Sequence, residues 1–253
     1  MPPDDCILTS AASARIPTAV SEFQLFFYPD SRDDKEHLAL VKGQVGGQDD
    51  VLVRVHSECF TGDVLGSRRC DCGAQLQEAL RLIAEAGAGV VIYLRQEGRG
   101  IGLLDKLKAY NLQDQGYDTV DANLLLGHQA DARDYSVAAQ IIKDLGVRSI
   151  KLLTNNPHKL DSLKALGIPI NARLPLQTGV CPENARYLRT KARRLKHLLV
   201  LEELPNGSTC YQPLQLGIME QINKPLLDAA CHRQRTGRPF VTLSYAQSLD
   251  GSI

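Results

Sequence analysis

Three cysteines, Cys59, Cys70 and Cys72, fall within fourteen residues of one another, in the run from His56 to Gly73. Thiols this close together serve either as small apolar core residues or as metal ligands. The flanking Arg68, Arg69 and Asp71 make the stretch polar and favour the metal. A structural zinc site closes its tetrahedron with four protein ligands, whereas a catalytic one uses three and leaves a position for water. Three clustered thiolates therefore point to an open, working metal and to hydrolytic chemistry. The other thiols, Cys6, Cys181, Cys210 and Cys231, are scattered, and seven is an odd number. With no secretory signature, the pattern predicts a reducing cytoplasm rather than a disulfide framework.

The charge balance narrows the partners. Lys plus Arg equals Asp plus Glu at 29 each, so the chain has no global basic field of the kind that non-specific nucleic-acid binders use. An anionic ligand must be met by a local cluster instead. The N-terminus is acidic and no segment reaches the length of a membrane span, so membrane insertion and secretion are not expected. A chain of 253 residues, 43% hydrophobic, has room for one large domain with an appendage and a sizeable core.

Residues before 51 read as an irregular opening. Residues 51–55 then predict a short strand that delivers His56, Ser57 and Glu58 at its end, followed by the cysteine loop. From 73 to 86, Leu76, Ala79, Leu80 and Ile83 recur at helical spacing and Gly87 supplies a stop. A strand over 90–94 runs into the glycine-rich segment 95–102, after which Leu103, Leu104, Leu107 and Tyr110 again predict a helix. A further helix is expected over 135–145 and a strand over 150–153. Pro157 suits the first turn of a helix ending near Gly167. Residues 183–197 carry six basic side chains without aromatic interleaving, which predicts a solvated helix face rather than nucleic-acid binding. From Pro205 the composition becomes linker-like.

The Gly98-Arg-Gly-Ile-Gly segment leaves backbone room for a ligand, and a helix starting after it turns free N–H groups toward anions. Arg95, Arg99, Arg133 and Lys159 are available to a polyphosphate. His56 and Glu58 ahead of paired cysteines parallel the chemistry of zinc nucleobase deaminases, in which a carboxylate moves protons beside a metal-activated water. The spacing differs, with one residue between Cys70 and Cys72 and no preceding proline. His56 itself suits either a hydrogen-bonded strand end or a metal or substrate contact.

Six segments, in order and spacing, resemble the GTP cyclohydrolase II family of riboflavin biosynthesis. They are Arg54-Val-His-Ser-Glu-Cys, Arg69-Cys-Asp-Cys-Gly, Arg95-Gln-Glu-Gly-Arg-Gly-Ile-Gly-Leu, Asp114-Gln-Gly-Tyr-Asp-Thr, Ala130-Asp-Ala-Arg-Asp-Tyr and Leu152-Leu-Thr-Asn-Asn-Pro. The resemblance implies an α+β fold with a mixed sheet flanked by helices, and one Zn²⁺ per subunit held by Cys59, Cys70 and Cys72. Its water would attack C8 of guanine, and a second hydrolysis would release formate. Tyr110 would assist at the ring and Asp131 would accept a proton. Arg133 would act at the α-phosphate, with pyrophosphate leaving under Mg²⁺. The family assigns that arginine as nucleophile, whereas a guanidinium that stays protonated is better suited to clamping phosphate. GTP would be bound by Arg54, Val55, His56, Ser57, Glu58, Gln75, Glu97, Gly98, Arg99, Thr119, Thr154 and Lys159. The family further implies a cytoplasmic homodimer.

These residues frame a domain layout of an irregular segment at 1–11, a catalytic domain at 12–199 and a linker at 200–238. The run Arg238-Pro-Phe-Val-Thr-Leu-Ser-Tyr-Ala-Gln-Ser-Leu-Asp-Gly-Ser-Ile resembles the opening strand and turn of a pyrimidine reductase domain, which assigns residues 239–253 to the start of such a domain. A fused reductase in a longer natural protein is thus expected. Two alternatives stay beside the hydrolase: a same-fold enzyme that stops at a formamidopyrimidine, which Tyr110 argues against, and a non-catalytic zinc-stabilised nucleotide-binding module.

Overall fold

The structure is a computed structural model and describes residues 8–129, 133–176 and 178–199. The stretch before Val51, where the sequence pattern predicts no regular structure, is an antiparallel meander. It comprises β1 (Ala12–Pro17), β2 (Glu22–Asp30) and β3 (Lys35–Lys42). What carries β3 is alternation, with His37, Ala39 and Val41 buried and Leu38 and Leu40 half-buried between them. Charged residues at both strand ends hide that pattern. The β2–β3 turn has Asp34 at φ 55°, a left-handed position filled without the glycine that usually marks a hairpin.

β3 pairs with β5 (Gly89–Leu94), where the sheet changes character. β5, β4 (Val51–Ser57), β6 (Ile150–Leu153) and β7 (Ile170–Leu174) run parallel, giving the mixed order β1-β2-β3-β5-β4-β6-β7. Helices make the parallel crossovers. α1 (Phe60–Asp63) and α2 (Cys72–Ala86) follow β4, and α2 stops at Gly87 with φ 75°. α3 (Gly102–Asp114) and α4 (Thr119–Leu125) follow β5, and α5 (Ser136–Asp144) leads into β6. α6 (Pro157–Ala165) starts on Asn156, whose side chain accepts the His158 N–H at 3.0 Å.

The period of two along β4 sorts its side chains. Val51, Val53 and Val55 enter a core with Val90, Ile92 and Leu94 of β5 and Ile141 and Ile142 of α5. Each such side chain contributes about 1.5–3 kcal/mol on burial. Leu52 packs on the opposite face against the Ala79 and Ile83 side of α2. Arg54 and His56 share that face by alternation, and both are buried. The parallel strands also end on one side of the sheet, where ligands bind in open α/β sheets.

α7 (Pro182–Arg193) carries the expected solvated basic face, with Lys191 as the exception. Arg186, Arg189 and Arg193 are exposed, but Asn184, Ala185, Leu188 and Lys191 recur at helical spacing and are buried. The helix also ends before His197. Among the described residues no helix is long and apolar enough to cross a membrane. Asp131, the linker at 200–238 and the reductase-like segment at 239–253 lie outside the described residues.

Candidate active site

The ends of β4, β5 and β6, together with α3, α4 and α7, line an open cleft. The three cysteines meet in it. Cys59 caps α1, Cys72 opens α2 and Cys70 lies two residues earlier. Their sulfurs lie within 4.8 Å of one another, with Cys59 Sγ and Cys70 Sγ 3.7 Å apart. Two thiolates on a tetrahedral zinc, with bonds near 2.3 Å, are separated by roughly 3.8 Å, so the spacing fits such an ion. A Cβ at Gly62 would sit 3.0 Å from Cys70 Sγ and 3.1 Å from Cys59 Sγ, so glycine keeps that pocket open. The thiols titrate together. Hydrogen bonds from Cys70 and Cys72, with Lys106 nearby, hold the Cys59 thiol far below its ordinary value, while the hydrogen bond to Cys59 and burial push Cys70 up to about 12.

His56 is not part of this sulfur group. Its Nε2 lies 3.1 Å from both carboxylate oxygens of Asp63, which also accepts the Cys59 N–H and the Tyr93 hydroxyl at 2.9 Å. Its ring stacks on Tyr93 at 5.5 Å. Burial lowers the His56 pKa against the pull of Asp63, which favours a neutral ring. Asp63 thereby joins the strand end to the backbone of a sulfur residue.

A second chain of buried contacts starts at Arg54. Its guanidinium donates to Leu153 O at 3.0 Å and to Gln75 Oε1 at 2.7 Å. Gln75 in turn donates to Asp71 at 2.6 Å, and Asp71 accepts from Lys191 at 2.6 Å. Burial pushes the Arg54 pKa down to about 10, which still leaves it charged at neutral pH. Arg54 Nε and His56 Nδ1 are buried without a hydrogen-bond partner.

Glu97 begins a 3₁₀ turn (Glu97–Gly100) in which Gly98 and Arg99 take left-handed φ values of 63° and 66°. For Arg99 that conformation is costly, and it sits at the cleft wall. Both Glu97 oxygens are engaged, one by the Phe60 N–H at 2.6 Å, the other by Gly98 N–H and Lys106. Glu58 pairs with Arg95 at 3.3 Å, and burial raises its pKa. Tyr110 lies 3.3 Å from the Thr61 hydroxyl beneath Arg69, whose guanidinium stands 5.0 Å over the ring.

Of the residues expected to contact GTP, the cleft gathers Arg54, His56, Ser57, Glu58, Gln75 and Glu97, and also Gly98, Arg99, Thr119, Thr154 and Lys159. Tyr110 and Arg133 line it as well. Val55 does not, since the strand period turns its side chain into the core, and its carbonyl instead accepts Lys159 Nζ at 2.6 Å. The sequence gives no reason to single out Lys106, Lys191, Tyr187 or His197, yet all four line the cleft. A chain of zero net charge thus concentrates Arg54, Arg99, Arg133, Lys159 and Lys191 in one place. Burial, reinforced by Lys191, Arg133, Arg99 and Lys159, drives the His197 pKa down to about 2.

The GTP cyclohydrolase II family model matches residues 9–175. A riboflavin biosynthesis protein RibBA from Nocardia farcinica is 58% identical over 200 residues, 78% of this chain and 48% of that protein. A RibBA from Salinispora arenicola is 59% identical over 194 residues, 76% of this chain and 46% of that protein. A GTP cyclohydrolase-2 from Aeromonas hydrophila is 53% identical over 191 residues, 76% of this chain and 97% of that protein. The chain spans about half the length of the RibBA relatives it matches.

Proposed function

The chain belongs to the GTP cyclohydrolase II family, and from that premise we propose that it hydrolyses GTP to a diaminopyrimidinone ribosylamine phosphate, formate and pyrophosphate. The observation that carries this reading is the meeting of three thiol sulfurs and a cluster of arginine and lysine side chains in one cleft. Cys59, Cys70 and Cys72 would hold one Zn²⁺ per subunit. When bound, zinc supplies Lewis acidity and brings a water within reach of ionisation near neutral pH.

The chain's own residues bind and orient the nucleotide. Glu58 and Gln75 offer acceptors and an amide to a guanine edge, while Arg99, Arg133 and Lys159 meet the triphosphate, with Mg²⁺ accompanying it. Arg133 remains protonated, so its role here is to clamp phosphate and neutralise the charge of the leaving pyrophosphate. Tyr110, on α3 beside Thr61, is a proton donor or acceptor near the sulfur group. Asp131 is assigned as proton acceptor on the family resemblance. A cytoplasmic homodimer within a longer fused protein completes the proposal, and reduced metal-holding thiols suit that compartment.

The test is to supply the metal-loaded chain with GTP and Mg²⁺ and to follow loss of the purine absorbance together with formate. Ring opening without formate would favour the formamidopyrimidine product. An unchanged nucleotide that still binds would leave the non-catalytic module.

A further inference from the structure

We propose that Lys106 is a positioning residue of this site, its single ammonium tying the Cys59 sulfur to the Glu97 carboxylate and offsetting the charge of the thiolate cluster. The inference rests on the metal centre proposed above.

Lys106 sits on α3 and is buried at 8% exposure. Its Nζ lies 3.1 Å from Cys59 Sγ and 2.8 Å from Glu97 Oε1. Tyr110, one helical turn further on and so on the same face, has its ring centre 5.7 Å from that nitrogen. The 97–100 turn is shaped around the lysine stem, because a Cβ at Gly98 would approach Lys106 Cβ to 3.2 Å. One ammonium therefore touches the sulfur group, the turn that lines the cleft and the helix face bearing Tyr110.

Charge gives the contact its purpose. Three thiolates around a divalent cation leave one net negative charge, which makes a weaker Lewis acid than a site with neutral imidazole ligands. A charged donor on one sulfur withdraws electron density from it and offsets that excess. A lysine serving only as an ion pair for Glu97 would have no such effect on the sulfur.

The experiment compares the cobalt-loaded chain with Lys106→Met, Lys106→Arg and Glu97→Gln, reading the thiolate-to-cobalt charge-transfer band and the rate of alkylation by iodoacetamide. Lys106→Met is expected to shift the band and to accelerate alkylation, because the Cys59 sulfur loses a charged donor that withdraws its electron density. Lys106→Arg should restore most of the effect, and Glu97→Gln should leave the band in place. An unshifted band and unchanged alkylation in Lys106→Met overturn the proposal. If that variant does not fold, Lys106→Gln, which keeps a neutral donor, must still shift the band, and no shift overturns it. An unmodified chain that takes up no cobalt overturns the metal centre and this proposal together. A cobalt-loaded chain that responds to Lys106 but turns over no GTP overturns only the proposed function.

Discussion

Lys191 Nζ lies 2.6 Å from Asp71 Oδ1, so the last turn of α7 is fastened to the residue between Cys70 and Cys72. Both partners are buried, and Asp71 passes the contact on through Gln75 to Arg54. α7 lies beyond residues 9–175, the span matched by the family model, yet through Lys191 it reaches the cysteine loop. Lys191→Met would leave a buried carboxylate with Gln75 as its remaining named donor. Breaking such a pair costs about 3–5 kcal/mol, and the lower end is expected here. Urea denaturation should show that loss, and competition with a chelator should show weaker zinc binding. Wild-type values in both would mean that α7 is only packed against the loop.

Cys70→Ser is expected to remove most of the bound zinc and to abolish formate release, because the proposed site takes all its protein ligands from these three sulfurs. Metal analysis of the purified variant checks it. Stoichiometric zinc with undiminished formate would sink the three-cysteine site.

Tyr110→Phe separates the two chemistries. The hydroxyl lies 3.3 Å from that of Thr61, while Arg99, Arg133 and Lys159, the cations proposed to meet the phosphates, line the cleft independently of it. Formate release should fall about 10²- to 10⁴-fold, the usual span for a lost acid or base, while pyrophosphate release survives. Equal loss of both products in a quenched time course would show that the tyrosine positions the whole nucleotide.

His197 makes stability depend on pH. Its folded pKa, about 2, lies below the ordinary 6.5, because burial and four neighbouring cations disfavour its charged form. A depressed folded value means that its contribution is complete above pH 6.5 and is lost as pH falls toward 2. Replacing it with Gln should flatten the loss of stability between neutral and acidic pH. A wild-type slope retained in that variant would place the acid sensitivity elsewhere.

The parallel half of the fold is legible in the sequence because its signals are local. Val90 to Leu94 is a continuous apolar run, Pro157 follows a capping Asn156, and Gly87 ends α2 in a left-handed conformation. The meander is not legible, since Asp34 rather than glycine turns the β2–β3 hairpin and charges flank both strands. Cysteine spacing reveals the sulfur group, whose members α1, the following loop and α2 bring together. The contiguous run Arg54 to Glu58 includes Val55 among the GTP contacts, but alternation along β4 sends that one side chain to the core. Lys106 gives no local signal, and Lys191 reads as one of six basic residues on a solvated helix face. Only the packing of α3 and α7 against distant loops turns them inward.

Opening and hydrolysis of the purine ring of GTP in this cleft are read most directly from the molar ratio of formate to pyrophosphate formed by the zinc-loaded chain with Mg²⁺. Formate and pyrophosphate are expected in equal amounts, with formate abolished when zinc is removed by a zinc-selective chelator and restored when it is returned. Pyrophosphate without formate from the zinc-loaded chain, or formate release indifferent to zinc, would contradict ring opening in this cleft.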